Sequence, residues 1–211
     1  MKPICPLCSN QKIGFKFENK RRIFNQCSSC KLIFVPSNYF PDSKSELAHY
    51  EMHENSPEDL GYRNFLNQFV NPFKKYINVT MSGLDYGSGP CPTLSVMLGE
   101  LEFSVENYDP YFLNDISKLS STYDFVTCTE VVEHFYDPIR EFGKLFSLVK
   151  PNGVLGVMTQ FHNDTTDFKT WYYKEDITHV HFYSRETLEF IATHFNAEIN
   201  FYGKNVAIFS L

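Results

Sequence analysis

The chain has 211 residues, 43% of them hydrophobic, and a net charge of −6, which suits one main domain with a substantial core and a small appendage. No apolar run reaches the ~18 residues of a membrane span and no apolar segment follows the start Met-Lys-Pro-Ile-Cys, which excludes a membrane protein and points to a soluble, cytoplasmic one. The 21 Phe and 13 Tyr forecast an aromatic core and an aromatic ligand cleft.

Residues 1–40 read as a small zinc-binding ribbon. Cys5-Pro-Leu-Cys8 and Cys27-Ser-Ser-Cys30 are two C-x2-C turns with 18 residues between them. Tetrahedral Zn²⁺ takes four thiolates at about 2.3 Å, and two such turns supply them. So short a segment buries too little surface to fold alone, which gives a metal a physical task. The alternatives are a disulfide pair, disfavoured by the absence of a secretion signal, and an iron centre, for which no other electron-transfer feature speaks. Four thiolates leave no open position, so the zinc is structural. Residues 13–17 and 22–25 read as a hairpin between the turns. Cys91 and Cys128 read as small packing residues near a cofactor. Residues 1–35 carry Lys2, Lys12, Lys16, Lys20, Arg21, Arg22 and Lys31 against Glu18, a net of +6 that leaves −12 on the remainder. This basic segment is either a solvated face or a surface for an anionic partner such as RNA.

Residues 41–78 read as a helical connector or lid, entered through Pro36 and Pro41. Tyr50, His53, Glu54 and Asn55 cluster in a loop that either covers the cofactor or simply caps. Ser56-Pro57-Glu58-Asp59 reads as a helix start, with Ser56 as N-cap and Pro57 at N1, running to Val70. Pro72 then begins a further piece.

From 79 to 211 strands and helices alternate, which predicts a parallel sheet with right-handed crossovers. Leu84-Asp85-Tyr86-Gly87-Ser88-Gly89-Pro90 reads as a strand running into a glycine turn. Asp109 follows 20 residues after Gly89, behind a second strand at 103–108. This is a ribose-binding unit, in which glycines admit a ligand close to the backbone and a carboxylate accepts from ribose hydroxyls. Pro92 replaces the third glycine of the dinucleotide pattern G-x-G-x-x-G and supplies no N–H to a pyrophosphate. A helix follows at 93–101. Only 14 residues separate Asp109 from Asp124, too few for a helix, a third strand and their turns, so this crossover is expected to be trimmed. Asp137 caps the next helix, with Pro138 at N1 and Ile139, Phe142, Leu145 and Phe146 at helical spacing. Ser184 caps the last helix, and 198–202 with 205–209 form a hairpin. The expected fold class is α/β: a Rossmann-like, mostly parallel sheet with a terminal antiparallel hairpin, plus the small N-terminal zinc-ribbon-like domain.

Asp85, Gly87 and Gly89 resemble the first motif of class I S-adenosylmethionine-dependent methyltransferases, an acidic residue followed by G-x-G-x-G, with Cys91 at the last glycine. Tyr123-Asp124-Phe125-Val126-Thr127-Cys128-Thr129-Glu130-Val131-Val132-Glu133-His134 resembles their fourth strand and its loop. Val149-Lys150-Pro151-Asn152-Gly153-Val154 resembles their turn into strand five. Trp171 and Asp176-Ile177-Thr178-His179-Val180-His181-Phe182-Tyr183-Ser184 resemble the segment before the last helix in a subgroup that carries an N-terminal zinc-binding segment. The resemblance implies S-adenosyl-L-methionine (SAM) as cofactor. It places Gly87 and Gly89 at the methionine portion and Asp109 at the ribose, with Asp85, Thr129 and Glu130 on the same rim. Asp115 is the one candidate for the adenine-contacting acid that usually follows the third strand.

Methyl transfer needs alignment, exclusion of water and sometimes a base. His134 and His179 are the candidate bases. His181 alternates with His179 in an extended run, so at most one of that pair faces the substrate. Trp171, Tyr172 and Tyr173 form an aromatic wall or pack internally. The function read from these residues is SAM-dependent methyl transfer, most simply to a small molecule. The alternative is a non-catalytic or RNA-directed binding module that keeps the fold and uses the basic zinc segment.

Overall fold

A computed structural model of the chain describes residues 3–52 and 56–211; His53, Glu54 and Asn55 of the expected lid cluster lie outside the described residues. The N-terminal hairpin forms as read, with β1 (Ile13–Glu18) antiparallel to β2 (Ile23–Cys27). β3 (Ile33–Phe34) extends it. After Asp42 as N-cap comes α1 (Ser43–Tyr50), within the stretch expected as a helical connector. Then comes α2 (Leu60–Phe73), which begins later and ends later than expected. Asp59, not Ser56, caps it, because its carboxylate accepts from the amides of Gly61 and Tyr62. Pro72 falls in its last turn, and the helix runs on to Phe73.

The core then alternates as predicted: β4 (Ser82–Tyr86), α3 (Thr93–Gly99), β5 (Ser104–Tyr108), β6 (Tyr123–Thr129), α4 (Pro138–Ser147) and β7 (Val149–Met158). β8 (His181–Phe182), α5 (Arg185–His194), β9 (Glu198–Tyr202) and β10 (Val206–Ser210) complete it. The main sheet has the order β5-β4-β6-β7-β10-β9. Its first four strands are parallel, and the β9–β10 hairpin closes it antiparallel against β7. The trimmed crossover is present: between β5 and β6 lies only a 3-10 turn, Ile116–Ser120, capped by Asp115. The chain order therefore reverses between β4 and β6, the place where an open α/β sheet leaves a crevice beyond its strand ends.

Alternation along the strands divides the core between two faces. Phe125, Val154 and Met158 face α2 and α3 through Leu66, Phe69, Phe73 and Leu98. Val126, Cys128, Leu155 and Val157 face α4 and α5 through Phe142, Leu145, Leu188 and Ile191. Asp137 and Ser184 cap their helices as the sequence predicts, Ser184 in a reciprocal capping box with Thr187.

The N-terminal segment is tied into this core by its partners. β3 pairs with β8, Ile33 opposite Phe182 and Phe34 opposite His181, so a piece of the C-terminal half completes the small sheet. Phe24, Ile33 and Val35 pack with Phe168, Tyr173, Val180 and Phe182. Arg22 is 5% exposed. Its guanidinium donates to the carbonyls of Lys174, Asp176, Ile177 and His179. Of the basic run Lys20-Arg21-Arg22, only Lys20 and Arg21 therefore present charge to solvent.

Candidate active site

The ends of β4, β5 and β6 converge on one cleft of about 900 Å³, a size suited to a small ligand. Asp85, Gly87, Gly89, Asp109, Thr129, Glu130, His134 and His179 all line it. Gly87 and Gly89 have φ of +79° and +67°, the left-handed region that glycine enters freely. At Gly87 space also matters, since a Cβ would sit 2.4 Å from the Val131 side chain. The amides of Gly87 and Ser88 both donate to the Tyr108 carbonyl, which fixes the loop against the end of β5.

Asp109 is 7% exposed. It accepts from Gly89 N at 2.9 Å through one oxygen and from Tyr111 N and Phe112 N through the other. A carboxylate offers about four lone-pair sites. With three engaged, one stays open toward the cleft side of the carboxylate. Asp85 lies under the loop, 2% exposed, and accepts from Thr127 Oγ1 at 2.8 Å and from Ser95 Oγ. Burial pushes its carboxyl up to about 6, against those two bonds. Asp115 is exposed, accepts from Ser117 through one oxygen and lies outside the cleft lining.

β6 ends at Thr129, and the φ of +54° at Glu130 turns the chain sharply into a 3-10 turn, Val132–His134. His134 Nδ1 bonds the Thr178 carbonyl at 3.2 Å, and His179 Nδ1 bonds the Tyr173 carbonyl at 2.8 Å. A carbonyl only accepts, so each Nδ1 carries a proton. Burial holds the His179 imidazole down to about 4, so it is neutral near pH 7. His181 is fully buried with Nδ1 on the Phe135 carbonyl and does not line the cleft. Tyr172 and Tyr173 line the cleft, whereas Trp171 packs against Phe168 and Phe182. Cys91 is exposed on the cleft wall, and Cys128 is a buried core residue.

Sequence reasoning missed Glu133 as the partner of Glu130, and it missed the residues of α1 that reach over the cleft. Glu133 is fully buried and its carboxylate accepts from Tyr173 OH at 2.5 Å; the same hydroxyl reaches Glu130 at 3.3 Å. Burial raises both carboxyls, that of Glu133 to about 7. Glu46, on α1, accepts from the hydroxyls of Tyr50, Tyr111 and Tyr136 and closes the cleft from above. His49 of the same helix pairs with Asp176 at 3.0 Å. Only the i, i+4 spacing of Glu46 and Tyr50 hinted at this in the sequence.

The cysteines stand apart from the cleft. Their four sulfurs lie within 4.8 Å of one another, with Cys5–Cys30 and Cys8–Cys27 each at 3.5 Å. A tetrahedron with bonds of about 2.3 Å has edges of ~3.8 Å, so the four thiols fit one zinc ion. Ser9 and Lys31, each just after a C-x2-C turn, take left-handed φ of 58° and 61° and curl the two turns toward a common centre.

A family model described as a methyltransferase domain matches residues 59–200. No curated protein matches the sequence. Among solved structures, a SAM-dependent methyltransferase from Archaeoglobus fulgidus superposes with a TM-score of 0.53 at 17% identity, covering 71% of this chain and 99% of that one. CalO1, a methyltransferase in calicheamicin biosynthesis in its SAH-bound form, gives 0.53 at 12% identity, covering 80% of this chain and 58% of its own. PigF with SAH gives 0.53 at 12%, covering 82% and 65%. This chain thus spans less than two thirds of the length of CalO1 or PigF, and at these identities the likeness is one of fold. Among the described residues no helix is long and apolar enough to cross a membrane.

Proposed function

The chain belongs to the methyltransferase-domain family, and we propose that it transfers the methyl group of SAM to a small-molecule acceptor. One observation carries this reading. Three adjacent parallel strands deliver the glycine loop, Asp109 and the Thr129-Glu130 turn to one rim, at the switch point of the sheet.

In this reading Gly87 and Gly89 lie along the methionine portion, and Asp109 accepts from the ribose hydroxyls. Asp85 holds the floor of the loop through Thr127 and Ser95. Thr129 and Glu130 bound the far side. When bound, the donor supplies a methyl carbon already activated on a sulfonium, so the chain's work is mainly alignment and exclusion of water. Tyr50, Tyr62, Phe65, Tyr136 and Tyr172 wall the cleft and suit a compact, partly apolar acceptor. His134 and His179 line the acceptor side, where either can take a proton as the acceptor atom forms its bond to the methyl carbon.

The domain division that supports this is a zinc ribbon at 1–40, a connector and lid at 41–78, and a transfer core at 79–211. Zn²⁺ on Cys5, Cys8, Cys27 and Cys30 is structural, since four thiolates complete its tetrahedron. Thiolate ligation suits a reducing cytoplasm. An RNA acceptor is the weaker reading, because Arg22 is turned inward and the body is acidic.

Isothermal titration with SAM tests the donor, and transfer of labelled methyl into a panel of cell metabolites and RNA tests the acceptor. Saturable binding near one per chain is expected, with label in the small-molecule fraction. Absence of binding at millimolar SAM refutes the reading.

A further inference from the structure

Glu133, His134 and His179 are brought together by three separate constraints: the turn after β6, the carbonyl of Thr178 and the carbonyl of Tyr173. One ligand atom from each lies within 4.8 Å of the other two. Both imidazoles use Nδ1–H on a backbone carbonyl, which orients the ring. That is the arrangement by which metal-binding histidines are held. Glu133 is fully buried, and its Oε2 has no hydrogen-bond partner among the described residues. Glu130 Oε1 is likewise enclosed and without a partner among them. None of the ion pairs among the described residues includes either carboxylate. The two buried cations among the described residues are occupied elsewhere: Lys174 pairs with Glu175, and Arg22 binds carbonyls. Two carboxyls sharing one tyrosine hydroxyl in an enclosed place are costly to ionise together, and a bound cation offsets that cost.

We propose that Glu133, His134 and His179 bind one divalent first-row metal ion at the base of the cleft, with Glu130 able to add a further oxygen. Two imidazoles with carboxylate suit Mn²⁺, Fe²⁺ or Zn²⁺ and differ in kind from the four-thiolate centre. His134 and His179 line the cleft, so an ion reaches the site from the ligand side. With the ion bound the two imidazoles serve as ligands, and the proton-accepting role proposed above belongs to the metal-free site.

The inference rests on the same cleft as the methyl-transfer reading but is tested without turnover. Mn²⁺ is the probe, because thiolates bind it poorly and the zinc centre stays filled. Loss of the free Mn²⁺ resonance signal on titration into zinc-loaded protein should report one ion per chain. Glu133→Gln keeps the side-chain shape and its acceptor for Tyr173, and should weaken binding at least about tenfold. His134→Asn, at a half-buried position, should do the same. Zinc content and melting temperature show that each variant is folded. Absence of Mn²⁺ binding at millimolar concentration overturns the site. So does binding that folded Glu133→Gln and His134→Asn both leave unchanged. A SAM titration on the same sample separates the two readings: Mn²⁺ without SAM sinks the donor assignment alone, and SAM without Mn²⁺ sinks the metal site alone.

Discussion

Arg22→Ala is the sharpest perturbation of the join between the zinc segment and the cleft. The guanidinium donates to four carbonyls at 2.6 to 3.0 Å, all on the stretch that carries Asp176 and His179. The bonds to Lys174 and His179 are buried, the other two partly so. An unsatisfied buried acceptor costs about 1–3 kcal/mol, so the two buried carbonyls alone imply about 2–6 kcal/mol. Contact of the guanidinium with the Phe24 ring, 5.2 Å away, is lost as well. Against a typical domain stability of about 5–15 kcal/mol this is a large fraction. Urea denaturation should show a lower midpoint with the slope unchanged. Arg22→Lys should recover only part, because an ammonium lacks the planar fork that spans four acceptors. A loss below about 0.5 kcal/mol, the range of ordinary surface changes, would show that the 174–179 stretch is held by something else.

Other consequences are as direct. The Asp85 carboxyl, at about 6 in the fold, lies above its unfolded value of about 3.9, so the native state keeps this proton longer and the group lowers stability as pH rises from about 4 to 6, by about 3 kcal/mol in all. Asp85→Asn should flatten that part of the stability profile, and urea midpoints that still fall as steeply over the same interval contradict it. Gly87→Ala forces a Cβ to within 2.4 Å of Val131 at a φ of +79°, and should abolish SAM binding measured by calorimetry; an unchanged affinity is the contrary result. A strong chelator should remove one zinc per chain and loosen β1–β3, and Trp171, 5.6 Å from Phe168 and 5.7 Å from Phe182, should report it by a red-shifted emission. Metal-free protein with native emission would contradict a structural zinc.

The parts of the fold set by local pattern were legible. The glycine loop, Asp109, the two helix caps and the closing hairpin each follow from a few adjacent residues. The trimmed crossover was legible too, because chain length alone forbids a helix and a strand between Asp109 and Asp124. Long-range partnerships were not. β8 is two residues long and acquires its meaning from Ile33 and Phe34, far away in the chain. Arg22 looked like surface charge because nothing local shows that four carbonyls from residues 174–179 will enclose it. Glu133 sat unremarked beside His134, since only the packing of Tyr173 and β6 reveals a carboxylate sealed from water. The start of α2 moved from Ser56 to Asp59 because two plausible caps stood within one turn and the backbone amides chose the second.

The most direct measurement is a crystal structure of the protein soaked with SAH. Both ribose hydroxyls should donate to the Asp109 carboxylate, with the Gly89 amide bond opened or shared and the sulfur directed toward His134 and His179. A sugar lodged elsewhere, with Asp109 still held only by Gly89, Tyr111 and Phe112, would contradict donor binding at this rim.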